Sequence, residues 1–298
     1  MTTVSMKITA IMPQPFRWIV RPNLPGIAFV ILGLFLAGCQ SQAPKAEAHA
    51  TIIFPAATMP TLFLAGDSTV HNTGPGLVGW GDVIGQFFDA TKISVTNFAR
   101  GGRSSRTFQT EGWWDKILAD AKPGDFVLIQ FGHNDGGALD DTNRARGSIP
   151  GLGEESKEIY NPIMKKPEVV HTYGWYLRKY IADARAKGMT PVICSPVPRM
   201  PAQPRKPGDV DRYVVWSREI AANQNVFFIN LNQIIRNHYA GFTTNEIKTI
   251  FYTTHDNTHF SLAGAEFNAA CVIEGLRKLK DSPLKDYILD QSKPLPSN

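Results

Sequence analysis

The feature that most constrains this chain is a recurring unit: a short apolar run, then a polar loop, then a stretch whose apolar residues recur at helical spacing. The runs are Thr61–Gly66 (TLFLAG), Ile93–Ala99 (ISVTNFA), Asp125–Phe131 (DFVLIQF), Met189–Val197 (MTPVICSPV) and Val226–Leu231 (VFFINL). Their length and their content of β-branched and aromatic residues predict strands. Helical spacing follows at Val78–Phe88, Trp113–Ala121, Val169–Ala186 (stopped by Lys187-Gly188) and Asp211–Ala222. Ser261 is placed to cap a last helix that runs to about Lys280.

Strands that alternate with helices predict an α/β domain of three layers, α/β/α, with a five-stranded parallel sheet, flavodoxin-like in outline. Such sheets gather their chemistry at the carboxyl ends of the strands. The first run stops abruptly at Gly66-Asp67-Ser68-Thr69, the second at Arg100-Gly101-Gly102 and the third at Gly132-His133-Asn134-Asp135. Residues 136–168 have little apolar periodicity and several Gly and Pro, which predicts a long functional loop. Pro198–Gly208 is a second, Pro-rich loop.

The 298 residues, 43% hydrophobic and without repeats, suit one domain of about 250 residues with an N-terminal appendage. Of the net charge of +5, Lys7, Arg17 and Arg21 supply three, which leaves +2 from Cys39 onward. No basic stripe marks the chain as a nucleic-acid binder. Residues 1–38 are expected to be a signal peptide, with basic residues up to Arg21 and an apolar run from Gly26 to Ala37. Leu36-Ala37-Gly38-Cys39 resembles a bacterial lipobox, which predicts acylation of Cys39 and a protein held outside the cytoplasm by its lipid at the membrane. Cleavage further on, at Ala48-His49-Ala50, is the alternative. Residues 39–57 then form a flexible linker and 58–298 the domain. Cys194 and Cys271 sit in apolar patterns that suit buried thiols rather than a disulfide, and lack metal-ligand spacing.

Near the end of the chain stands Asp256-Asn257-Thr258-His259. An acid and a base three residues apart share one side of a helix entrance, about 5–6 Å apart at Cβ if helical. In an acyl-transfer site Ser68 would attack the ester carbonyl, His259 would take and return the proton, and Asp256 would orient the imidazole. The N–H groups of Ser68 and Gly102 and the Asn134 amide would face the oxyanion, each worth on the order of 3 kcal/mol in the transition state. Plainer readings accompany these. Asp67 caps the turn after the strand, His133 is a structural hydrogen-bonder beside Asn134, Gly101-Gly102 is a permissive turn, and His71, His171, His238 and His255 are structural or solvated.

Four blocks carry a resemblance: Gly66-Asp67-Ser68-Thr69, the run from Asn97 to Ser105 (NFARGGRSS), Phe131-Gly132-His133-Asn134-Asp135, and the run from Asp256 to Ala265 (DNTHFSLAGA). In this order, over residues 60–280, the chain resembles the SGNH (GDSL) hydrolases and, more closely, their rhamnogalacturonan acetylesterase branch. The resemblance implies a Ser68–His259–Asp256 triad with an oxyanion hole from Ser68, Gly102 and Asn134, and neither metal nor cofactor. It also implies removal of O-acetyl groups from a plant cell-wall polysaccharide, rhamnogalacturonan or another pectin first, a leaning that Thr69 reinforces. A broader esterase or lysophospholipase of the same fold, or a non-catalytic carbohydrate-binding lipoprotein, are the alternatives. Trp80, Trp113 and Trp114 are candidates for stacking on sugar rings, with core packing as the other reading. The stretch Asp140–Glu168 is longer than its counterpart in the shorter family members. It is expected to form a rim over the site, with Arg144 or Arg146 meeting a galacturonate carboxylate, or else to be a solvated loop of mixed charge.

Overall fold

The computed structural model describes residues 59–200, 211–253 and 255–290. The expectations for the leader, Cys39 and the linker lie outside these residues, as does most of the Pro-rich loop. The strands are β1 (Thr61–Gly66), β2 (Ser94–Asn97), β3 (Phe126–Gln130), β4 (Ser156–Asn161), β5 (Lys166–His171), β6 (Thr190–Cys194) and β7 (Phe227–Ile229). The helices are α1 (Trp80–Val83), α2 (Ser105–Thr110), α3 (Trp113–Asp120), α4 (Tyr173–Ala186), α5 (Arg212–Asn223), α6 (Leu231–Tyr239), α7 (Thr244–Phe251) and α8 (Leu262–Lys278).

Five strands form one parallel sheet in the order β2-β1-β3-β6-β7, as their continuous apolar runs predict. Side-chain alternation divides the sheet into two cores. Leu62, Leu64, Phe126, Leu128, Val192 and Cys194 face α1, α6, α7 and α8, while Phe63, Ala65, Val127, Ile129 and Ile193 face α2 to α5. Cys194 and Cys271 are both buried free thiols. The direction of strand succession reverses between β1 and β3, which opens a crevice at their carboxyl ends.

Helix starts follow local chemistry. The hydroxyls of Thr172 and Ser261 accept from Trp175 N and Gly264 N, and the Asp211 carboxylate accepts from Tyr213 N.

Three expectations need correction. Val78–Phe88 is a single turn of helix followed by a 3-10 turn, because Gly79, Gly81 and Gly85 give it little helical preference. The expected loop 136–168 ends in the antiparallel hairpin β4–β5, paired from Ser156↔His171 to Asn161↔Lys166. Only Ile159, Asn161 and Val170 in its strands are buried, so the sequence shows no apolar alternation there. Val169 therefore belongs to β5, and α4 begins after Thr172. The periodicity also passed over α2, α6 and α7.

Candidate active site

Ser68 stands in the tight turn that ends β1. A Cβ on Gly66 would lie 2.5 Å from Val70 Cγ2, so only glycine lets the chain fold back this closely. Val70 N and His71 N both donate to the Asp67 carbonyl, 3.1 and 3.0 Å away. The buried Asp67 side chain caps the turn by accepting from Thr69 N and Thr69 Oγ1, each at 2.8 Å. Its other oxygen lies 3.1 Å from His133 Nδ1, and His133 Nε2 is 2.9 Å from the Val197 carbonyl. Burial raises the Asp67 pKa, but the His133 ring and the Thr69 donors outweigh it and hold the carboxyl below the usual carboxylate range. His133 thus bridges the turn that carries Ser68 to the Val197 carbonyl, and it also lines the cleft.

The chain's far end meets this turn. His259 Nε2 lies 2.7 Å from Ser68 Oγ, and His259 Nδ1 lies 2.6 Å from Asp256 Oδ2. A carboxylate opposite Nδ1 assigns the hydrogen to that nitrogen and leaves Nε2 to accept the serine O–H. Asp256 Oδ1 accepts from Thr258 N and His259 N at 2.7 and 2.9 Å, so one carboxylate fixes both the turn and the imidazole. Burial pushes its pKa up, and these hydrogen bonds, His259's first, bring it below the ordinary value.

The other two loops arrive beside the serine. Gly102 has φ of 80°, a conformation that disfavours a side chain, and it lines the same cleft as Ser68, Asn134 and His259. Asn134 Nδ2 donates to the Arg103 carbonyl at 2.8 Å, and the amide retains a second N–H. The cleft encloses about 730 Å3. Among the described residues, no group of three His, Cys, Asp or Glu side chains is placed to hold a metal ion.

Residues 64–267 match the GDSL-like Lipase/Acylhydrolase family, a span that includes every loop of this cleft. The chain belongs to that family. It is 30% identical to the rhamnogalacturonan acetylesterase of Emericella nidulans over 75% of this chain and 87% of that one. It is 32% identical to the probable rhamnogalacturonan acetylesterase YesY of Bacillus subtilis, over 77% of this chain and 98% of that one. Among solved structures, protein YxiM of Bacillus subtilis superposes with a TM-score of 0.59 at 22% identity; 74% of this chain is covered, which spans only 57% of that one.

The sugar-stacking candidates of this GDSL-like hydrolase do not reach the cleft. Trp80 is 1% exposed and donates from Nε1 to Gln130 Oε1 at 3.0 Å, so it is core, and the expected substrate contact is overturned. Trp114 is equally buried, and the Trp113 ring is covered by Arg100 and Lys116. Arg144 and Arg146 do line the cleft, together with Asn143 and Ile163 from the same long segment. Arg103 and Arg199 add two more guanidiniums. Arg103 pairs with Glu111 at 2.8 Å, whereas no carboxylate among the described residues pairs with Arg144, Arg146 or Arg199. Burial, then repulsion from Arg144 and Arg199, lowers the Arg146 pKa from its ordinary value.

Four supporting residues escaped sequence reasoning. Lys248, on α7, donates from Nζ to the Asp256 carbonyl and Asn257 Oδ1 at 2.6 and 2.7 Å, which holds the loop that carries the acid and the base. Asp135 accepts from Ser105 N, Ser105 Oγ and Ser148 Oγ, so it ties the glycine loop to the segment that bears the arginines. Arg199 Nη2 donates to the His133 carbonyl at 2.7 Å. Arg106 is considered below. Asp135 had a signal in its place beside Asn134; Lys248 had none, because its partners lie in another loop.

Proposed function

We propose that the chain is a serine carbohydrate acetylesterase that acts on a plant cell-wall polysaccharide, with rhamnogalacturonan or another pectin first. The observation that carries this reading is the continuous Ser68–His259–Asp256 hydrogen-bond chain opening onto an arginine-lined cleft. In this mechanism Ser68 Oγ attacks the acetyl carbonyl while His259 Nε2 takes its proton, and Asp256 stabilises the imidazolium. The N–H groups of Ser68 and Gly102 and the remaining Asn134 N–H receive the oxyanion. Collapse breaks the bond to the sugar oxygen, which leaves with the proton from His259, and water then releases acetate from Ser68 by the same route.

Substrate class is supported by the names of the relatives and by the lining of the cleft. Leu77 and Ile163 are its only large apolar side chains among the described residues, a poor match for a long acyl chain. Arg144 and Arg146 suit a uronate carboxylate through planar, bidentate pairing. Acetate release from acetylated pectin, acetylated xylan and p-nitrophenyl acetate tests the reading. Ser68→Ala and His259→Ala are expected to lower kcat by about 10^3-fold or more on every substrate. Wild-type turnover by the Ser68→Ala protein would refute the mechanism, and a preference for xylan over pectin would refute the substrate.

A further inference from the structure

The hairpin β4–β5 carries a surface that the ester chemistry leaves unused. Its inner side is anchored by the fully buried Arg106, which donates to both Glu168 oxygens at 2.7 Å and to the carbonyls of Leu139 and Gly147 at 2.8 Å. Asn161 Nδ2 also donates to Glu168. The hairpin is therefore a fixed arm, with one face committed to the domain.

Its outer face is open and sets large apolar side chains beside exposed Ser156 and Glu158. Tyr160 is 61% and Val169 47% exposed, and the register sets Tyr160 opposite Pro167 and Val169 opposite Glu158, which places both on one face. Ile163 and Met164 continue the patch around the tip, where Ile163 lines the cleft. Four of the eight exposed large apolar residues among the described ones thus fall within 160–169. Such a concentration marks an interaction surface rather than chance exposure. Lys165 is exposed at the tip, whereas Lys166 pairs with Asn161 and lies on the inner face beside Glu168.

We propose that this outer face is a second glycan-binding surface, on which the polysaccharide main chain lies as it leaves the cleft, with Tyr160 stacked on a sugar ring. The occupant follows from continuity with the cleft and from chemistry. Pyranose faces present apolar C–H groups to an aromatic plane, and Tyr160 offers such a plane next to a tip that borders the cleft through Ile163. The inference rests on the carbohydrate reading above.

Native electrophoresis of the full chain through gels that contain pectin, galactan or xylan tests it, alongside p-nitrophenyl acetate kinetics. Pectin is expected to retard the wild type, and Tyr160→Ala to weaken that binding about five- to tenfold with unchanged kcat/KM on the small ester. Tyr160→Trp should keep the retardation. Equal retardation of wild type and Tyr160→Ala, or none of the wild type by any of the three polymers, would overturn the proposal. Retardation without acetate release from acetylated polymers would instead remove the esterase reading and leave the surface standing.

Discussion

The carboxylates around Ser68 show how burial and hydrogen bonding compete at a single residue. Asp67 and Asp256 gain enough donors to stay ionised, and each contributes stability that is lost as pH falls through its lowered pKa. Asp135 goes the other way. Burial raises it to about 6 despite the Ser105 and Ser148 donors, with the Asp67 charge adding to the rise. Between the unfolded value of 3.8 and that value, the folded state keeps a proton that the unfolded chain has released. This contribution to stability therefore falls as pH rises through the window, by about 3 kcal/mol in all. Asp135→Asn, which stays neutral and can still accept a hydrogen bond, should match wild-type stability near pH 4. It should become the more stable of the two by up to about 3 kcal/mol at pH 7, as read by urea denaturation across that range. A constant difference between the two proteins at every pH would assign the ionisation elsewhere. The residues that meet at the cleft were legible in the sequence, because serine, glycine and asparagine each follow a strand and the Asp–His pair is local. Lys248 and Arg199 were not, since their partners become neighbours only when separate loops converge.

At the level of elements, the segment between β3 and α4 departs most from its sequence reading. A hairpin whose strands bury only three side chains leaves no alternation to detect, and its order comes from contacts remote in sequence. Arg106 supplies them by joining α2, the 139–147 segment and β5. Glu168 reflects that dependence: burial raises its pKa, yet the hydrogen bonds from Arg106 and Asn161 bring it below the ordinary value. Arg106→Met would leave this carboxylate with only the Asn161 N–H and two carbonyls without their donor, and is expected to cost about 3–5 kcal/mol in denaturant unfolding. Arg106→Met combined with Glu168→Met should recover part of that loss, because the unpaired charge goes with its partner. The double variant should also raise KM for acetylated oligosaccharides more than for p-nitrophenyl acetate, since the rim and not the serine has moved. Equal effects on both substrates would show that the pair supports the whole site.

For the whole molecule, the relevant asymmetry is of charge. From Cys39 onward the chain carries only +2, yet four guanidiniums converge on one cleft. Screening lengths shrink from about 10 Å at 0.1 M salt to about 3 Å at 1 M, so attraction of an acidic glycan to that cleft is a long-range, salt-sensitive effect. Raising NaCl from about 0.02 to 0.5 M should lower kcat/KM on acidic acetylated oligosaccharides about tenfold and change it less than about twofold on p-nitrophenyl acetate. The same salt dependence on both substrates would remove the arginines from substrate capture. What the sequence by itself determined is the parallel sheet, its crevice and the side chains that meet there, because apolar runs, strand-end loops and an Asp–His pair are local patterns. Only the tertiary structure decided that Trp80 is core, that residues 156–171 are a hairpin, and that Lys248, Arg106 and Arg199 brace the cleft. Those outcomes depend on which distant surfaces meet, and polar residues that pair across the fold leave no periodicity along the chain.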